Sequence, residues 1–544
     1  MDRLIRLVTL FVSKKGVAFT YSLALGAWVA IFLFMSWALS IRFETNDDVV
    51  MLMISSGAYS GTPDFHLVFI NVIYGLLLKE LYFIWPGLEW YTILFSLLHI
   101  ISFSIILWVY SKRITTAFGQ LLLLLLLLVL QARFIVGLQF TTTAAIVACA
   151  GLSLYFERGK MVKFVGLFLF LIGSLIRFEA AMLCFGVYAP VMMFPLSGRI
   201  RSKRQFLNTG LILSAILVLP MLARVVDAQV YRHNPEWRYY VDYNRVRGAL
   251  NDNPNFAKLL NDNPVCYVAD IDDLRNLAYF IADPAVLDLH AITQVKESLD
   301  VKPLLDKCQN IKTWICFYVD TVVCVLLLIL LLMFERRATY RWGLFFSGLS
   351  FFMLLSWVSL NATVKERVFL SAITPLMIIT VLLIVNYQKK CWKIVILSVF
   401  YLLTLHTIVK QTNDMHAVKT EQSRFVTEQL GLIKSSIDCN FTPLGNGITL
   451  EGLNPFSITS DFKSLNVKMI GNGWMTEIPL NHKLMDSHLD FVEKPILIFM
   501  SKGSESQIHN IQYCIKKNYQ IDTVLEVVAE DELSEIIIIK KKTI

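Results

Sequence analysis

The sequence predicts an α-helical polytopic membrane protein with about 11 transmembrane helices, outer juxtamembrane helices and a small C-terminal α/β extracytoplasmic domain. Three observations carry this prediction. Hydrophobic residues make up 56% of the 544 and charged residues only 17%, where soluble domains hold about 45–50% and about 25%. The apolar residues fall into separate runs of membrane-spanning length instead of a helical or strand alternation. Lys and Arg gather in short connections between alternate runs, as the inside bias for basic residues requires.

The first run, 16–41, follows Arg3, Arg6, Lys14 and Lys15. A cleaved signal peptide has an apolar core of only about 7–15 residues. The longer run reads as an uncleaved first span with its N-terminus in the cytoplasm. Further runs cover 90–110, 116–135, 136–155, 164–176, 180–196, 206–226, 313–334, 342–360, 368–387 and 394–409.

One more apolar stretch, 66–84, carries Asn71, Lys79 and Glu80. Charge decides its place. If it does not cross, five basic clusters all face the cytoplasm: Lys112-Arg113, Arg158 with Lys160 and Lys163, Arg199 to Arg204, Arg336-Arg337 with Arg341, and Lys389-Lys390 with Lys393. If it crosses, all of them turn outward while the N-terminus stays in. The stretch is therefore an interfacial or re-entrant helix on the outer side.

Two domains result: residues 1–410, with outer loops 42–89 and 227–312, and an extracytoplasmic α/β domain over 411–544. The tail is more polar and alternates strand-like 495–500, helical 505–517 and strand-like 535–540. Cys266 and Cys308 share the second outer loop, and Cys439 and Cys514 share the tail, so each pair is a candidate disulfide outside the cytoplasm. The net charge of +8 bears on topology and not on nucleic acid, and neither a Walker loop nor a dinucleotide glycine fingerprint is present.

Charged residues at the outer ends of clean spans are the candidates for chemistry. Asn46 is placed to cap a short helix, with Asp47 and Asp48 in its first turn. Together with Glu44 this makes more acid beside a membrane surface than a cap needs, and a carboxylate there suits a general base or a metal ligand. Arg177-Phe178-Glu179 lies between two apolar runs: an ion-paired turn on one reading, an anion-binding guanidinium on the other. Lys365-Glu366-Arg367 sets three charges on the outer face against the inside bias. Arg133, with Gln139 and Thr141 to Thr143, marks another outer turn, where a structural role is favoured. Trp237 to Arg247 alternates aromatics with Arg and Asp, which suits an interfacial helix as well as sugar stacking. Neither His66 nor His233 has metal-ligand spacing.

These residues resemble a C-type membrane glycosyltransferase, the superfamily of bacterial aminoarabinose transferases and protein O-mannosyltransferases. Asn46-Asp47-Asp48 through Tyr59 is similar to that family's first juxtamembrane helix, and 66–84, ending at Pro86-Gly87, to its second. Arg177-Phe178-Glu179 resembles the family's Arg-Pro-Glu, with Phe in place of Pro. Lys365-Glu366-Arg367 ahead of Pro375 resembles its late basic motif. The usual Asp-Glu is Asp-Asp here, so the identity of the base stays open between the two.

The resemblance implies transfer of a sugar from a polyprenyl-phosphate donor to a glycan, lipid or protein acceptor outside the cytoplasm, in a bacterial inner membrane. It makes Asp47 or Asp48 the catalytic base. Arg177, Lys365 and Arg367 become the donor-phosphate site, and Glu44, Asn46, Tyr59, His66 and Glu179 line the substrate. It leaves room for a divalent metal ion near the carboxylates. Two alternatives remain: a polymerase or ligase acting on lipid-linked glycans, and a transporter or flippase of lipid-linked sugars. Transporters commonly show paired halves and helices broken at mid-membrane, and neither feature is visible here.

Overall fold

The computed structural model describes residues 17–544 except 115, 156, 158, 194–202, 263–268, 300–310, 317, 319–321, 323–324, 327–339, 362–363, 387–390, 436–439, 445–447, 464–467, 483, 495, 531–533 and 543–544. The chain is mostly helical. It runs through α1 (Val17–Leu39), two short helices α2 (Asn46–Ser56) and α3 (Val72–Ile84), then α4 (Trp90–Ser111), α5 (Ala117–Val136), α6 (Phe140–Tyr155), α7 (Lys160–Ile176), α8 (Phe178–Met193) and α9 (Lys203–His233). Four helices follow in the second connecting segment: α10 (Pro235–Asn251), α11 (Pro254–Asp262), α12 (Ile271–Ala278) and α13 (Leu289–Leu299). After them come α14 (Tyr340–Asn361), α15 (Glu366–Asn386) and the 45-residue α16 (Cys391–Ser435).

Among the described residues five helices are long and apolar enough to cross a membrane: α1, α4, α5, α9 and α14. Helices α6 and α8 are equally apolar in character but 16 residues long. The expected run 313–334 falls largely outside the described residues, as do most residues of the basic clusters 199–204 and 336–341, and Lys389-Lys390 of the cluster 389–393.

Three boundaries differ from expectation. The stretch 66–84 is helical only from Val72, and Asn71 caps it by accepting the Ile73 N–H at 3.0 Å. The residues before it thread irregularly, because Asn71 also donates to the Ala223 carbonyl and Asp227 holds the Val72 N–H. The helix expected to end with the span at residue 409 continues as α16 to Ser435, through the expected domain boundary at residue 410. Asn46 is the first helical residue and not the cap; Thr45 holds the N-cap position.

Helix α2 ends where Gly57 turns left-handed at φ 78, with the backbone of Pro63 folded back against it. A Cβ there meets both the strained φ and that backbone, which only glycine avoids. Helices α6 and α7 pack along a seam of small residues. Gly151 and Gly166 face each other so closely that a Cβ on either would lie 2.5–2.6 Å from the other's carbonyl oxygen. Small residues of this kind let helix backbones approach where apolar burial gives little drive.

The tail holds a four-stranded sheet of β1 (Asn440–Leu444), β2 (Ile496–Ser501), β3 (Thr523–Glu530) and β4 (Ser534–Lys541), in the order β1-β2-β4-β3. Strands β1 and β2 are parallel and the other pairs antiparallel. Three short helices, α17 (Ile458–Lys463), α18 (Asp490–Glu493) and α19 (Glu505–Tyr519), accompany it. Ile508, Ile511 and Ile515 of α19 pack on Ile496, Ile498, Ile537 and Ile539 of the sheet. The two strands and the helix expected from sequence are there within two residues; β1 and β3 were not expected. The tail seats on the rest of the chain through buried polar contacts: Thr459 donates from its N–H and hydroxyl to Glu89, both at 2.6 Å, and Thr92 donates to the Pro455 carbonyl at 2.7 Å.

Of the paired cysteines, Cys266, Cys308 and Cys439 lie outside the described residues. Cys514 is a free, buried thiol on α19, so the expected bridge from it is not formed.

Candidate functional site

The site is assembled on a strap. Residues 42–44 run alongside the break between α5 and α6: Leu138 donates to the Arg42 carbonyl at 2.7 Å and Glu44 to the Leu138 carbonyl at 3.0 Å. This parallel pairing of Phe43 with Leu138 sets the entry of α2 against the N-terminus of α6.

Asp48 points inward from α2 and is fully buried. Its Oδ1 accepts the Tyr91 hydroxyl at 2.9 Å and the Phe140 N–H at 3.0 Å, and its Oδ2 takes the Thr45 hydroxyl at 3.3 Å. Burial pushes the Asp48 carboxyl well above the usual carboxylate range, against these hydrogen bonds. With three donors and no exposed surface, it ties α2, α4 and α6 together.

Asp47, one residue earlier, turns about 100° away on the helix. Its side chain is 25% exposed. Oδ1 accepts the Trp474 indole N–H at 2.9 Å, and Oδ2 faces the Arg367 guanidinium at 4.0 Å, beyond hydrogen-bond reach. Trp474 belongs to the tail. Its ring meets Phe69 edge to face at 4.9 Å. Phe69 stacks parallel to Phe140 at 6.0 Å, and the Arg177 guanidinium lies 5.8 Å from the Phe69 ring and 5.4 Å from the Phe140 ring. Asp47, Arg367, Trp474, Phe69, Phe140 and Arg177 are thus contiguous.

Phe69 is presented by a strained residue. Val68 has φ 65, a left-handed conformation that a β-branched side chain adopts only where its surroundings impose it. The Tyr231 hydroxyl accepts the Val68 N–H at 2.8 Å, and the Phe69 carbonyl accepts from Arg177 at 3.4 Å.

Behind this group lies a buried ion cluster. Arg133 is fully buried and donates from Nε to Glu366 at 2.8 Å and from an Nη to Glu44 at 3.3 Å. Lys419, near the middle of α16, donates to the Glu44 backbone carbonyl at 3.0 Å and lies 3.9 Å from Glu451. Burial raises the Glu44 carboxyl, with Arg133 opposing, and burial lowers the Lys419 ammonium. The structural role favoured for Arg133 is the one observed.

The other expected site residues go elsewhere. Tyr59 is buried and hydrogen-bonded to Asn481, with the Gly471 N–H donating to its hydroxyl at 3.0 Å, so it docks the tail. Asn46 accepts the Glu451 N–H at 3.2 Å, again a tail contact. His66 sits between Phe65 and Trp237, with ring centroids at 4.0 and 4.3 Å, and bonds Asp64 at 2.7 Å. Glu179 bridges Arg177 at 3.1 Å and Arg224 at 3.4 Å on an exposed surface. Lys365 is exposed and its side chain has no partner among the described residues. Trp237 falls on helix α10, where it and Tyr240 are buried.

Trp474 and Phe69 escaped the sequence reading. No charge or motif marks either residue, and Trp474 is 427 positions from Asp47. Among the described residues no group of three or more His, Cys, Asp or Glu side chains is placed to hold a metal ion. The sequence matches no protein-family model and no curated protein.

Proposed function

We propose that this chain is a membrane glycosyltransferase of the C type, moving a sugar from a polyprenyl-phosphate donor to an acceptor outside the cytoplasm. The single observation that carries the reading is the pairing of Asp47 with Arg367 beside an aromatic shelf. One carboxylate oxygen is held by an indole N–H; the other faces a guanidinium at 4.0 Å, an ion pair with no hydrogen bond between the two groups.

In the proposed reaction the bond from the sugar's anomeric carbon to phosphate breaks, and its electron pair leaves with the phosphate. The acceptor oxygen bonds to that carbon, and its proton passes to Asp47 Oδ2. Arg367 balances the charge growing on the phosphate, and Arg177, against the Phe69 and Phe140 rings, takes its remaining oxygens. The three donors to Asp48 and its full burial argue against it as the base, so the proposal gives that role to Asp47. Lys365, exposed and unpartnered, stays with the phosphate end.

The topology proposed with this function has about 11 spans. The N-terminus lies in the cytoplasm of a bacterial cell, α2 and α3 lie on the outer surface of its inner membrane, and the tail lies outside.

Purified variants offered a panel of polyprenyl-phosphate monosaccharides and cell-envelope glycan, lipid or protein acceptors test it. Asp47→Asn should retain expression and thermal stability while losing about 100- to 10,000-fold in transfer. Full activity in Asp47→Asn would sink the reading. Donor movement across sealed vesicles without any transfer would favour the flippase instead.

A further inference from the structure

We infer that Trp474 is a positioning residue for the carboxylate of Asp47, so that the tail completes the active site of the transferase. The inference rests on the function proposed above, and it adds a role for a residue on a separate structural unit.

The turn that carries Trp474 is pinned from three sides. The Gly473 N–H donates to the Phe280 carbonyl at 2.7 Å, which ties the turn to the segment between α12 and α13. Asn472 accepts from the Thr442 hydroxyl at 3.1 Å and donates to the Pro443 carbonyl, which ties it to strand β1. The Gly471 N–H donates to Tyr59, which ties it to the chain that leaves α2. An indole held in this way has little freedom to follow the carboxylate; the carboxylate follows the indole.

The consequence lies in the 4.0 Å between Asp47 Oδ2 and Arg367. Trp474 donates to Oδ1 alone. Without that donor, a small side-chain rotation lets the carboxylate close on Arg367 as a direct, two-pronged ion pair, the geometry a guanidinium favours. That pair would occupy the proposed base and the proposed phosphate ligand at once. The indole N–H holds the two groups close enough to share a substrate and short of the direct hydrogen bonds that would occupy both. The Phe69 ring against Trp474 keeps the indole plane in place.

The test compares Trp474→Phe with Asp47→Asn and Thr92→Val. Phenylalanine keeps a smaller ring against Phe69 and removes the donor. Thr92→Val removes the tail contact to the Pro455 carbonyl without touching Asp47 or the turn that carries Trp474, and so isolates a merely structural effect. Trp474→Phe should lower kcat about 10- to 100-fold, the range for a hydrogen bond to a charged group, with KM for the lipid-linked donor within about threefold. Thr92→Val should leave kcat within about threefold of wild type at temperatures below unfolding. In parallel, protein labelled with ¹⁵N at the indoles should show a Trp474 N–H resonance that disappears in Trp474→Phe and moves in Asp47→Asn. An unchanged kcat in Trp474→Phe, or an indole resonance indifferent to Asp47→Asn, overturns the inference while leaving Asp47 in its role. An active Asp47→Asn overturns both.

Discussion

Asp47 and Asp48 are consecutive carboxylates on one helix, and they end in opposite surroundings. The step between them turns the side chain by about 100°, enough to send one to the surface and the other into a nest of donors. Which is which was not legible in the sequence. The groups that decide it, Tyr91 and the Phe140 N–H, lie 43 and 92 residues away, and no local pattern announces them. What was legible was that acids at the start of a helix leaving a span need an explanation. The burial of Asp48 has a consequence for stability. Its folded-state affinity for a proton is raised by desolvation, so folding takes up protons at this site. The resulting stabilisation is complete below the unfolded carboxyl value of about 3.9 and is lost as pH rises through the higher folded value. The thermal midpoint in detergent should therefore fall as pH climbs from about 4 toward neutrality. Glu44 and Glu89 are raised by burial too and act in the same sense, so Asp48→Asn should flatten this slope without abolishing it. A slope identical in Asp48→Asn and wild type would mean that the acid is not titrating in the folded protein. Asp48→Ala, by contrast, leaves buried donors unmet and should cost about 1–3 kcal/mol for each.

At the scale of elements, α16 shows how far apolar patterning reaches. The run of apolar residues stops near Val409, and the sequence reading ended a span there. The helix does not stop, because the residues that follow are polar helix formers with neither glycine nor proline before Gly431. Apolarity reports where a helix meets lipid; propensity and capping report where it ends. The same distinction explains the strands. Buried isoleucines marked β2 and β4, while β3, with exposed Val524, Val527 and Val528, and the five-residue β1 gave little to read. Over its 45 residues, about 68 Å at the helical rise, α16 passes the site and brings Lys419 to Glu44, Ser423 to Arg42 and Gln429 to Ser534 of the sheet. It touches the strap, the ion cluster and the tail. Ala417 is exposed on it, so Ala417→Pro breaks the helix without removing a side-chain contact. That change should cost about 3 kcal/mol and, on the proposed function, should lower transfer far more than Ala417→Gly, which costs about 1 kcal/mol. Equal transfer by the two variants would show that helix continuity past the membrane surface does not matter to the site.

For the molecule as a whole, charge separates two ends. Lys112 and Arg113, just past the end of α4, both pair with Glu157, at 2.8 and 2.6 Å. Tyr91, at the other end of the same helix, bonds Asp48. The 22 residues of α4 span about 33 Å, close to the thickness of a bilayer core. The Lys112-Arg113 turn and Asp48 therefore sit about the length of α4 apart, roughly a bilayer core. The clustering of Lys and Arg was legible without knowledge of tertiary contacts, because the inside bias acts on loops one at a time. The site could not be read in the same way, since it combines the first connecting segment, the starts of α6 and α15, and a tail turn more than 400 residues distant. The proposed topology makes a direct prediction. In a background with the native cysteines replaced, Lys160→Cys reports on the loop before α7 and Lys502→Cys on the tail, both at exposed positions. A membrane-impermeant maleimide applied to cells whose inner membrane is intact should label position 502 and spare position 160, and permeabilisation should make both reactive. Labelling of position 160 alone would invert the protein and put the candidate site in the cytoplasm. Labelling of both in intact cells would put the loop before α7 and the tail on the same outer side, and would overturn the proposed topology.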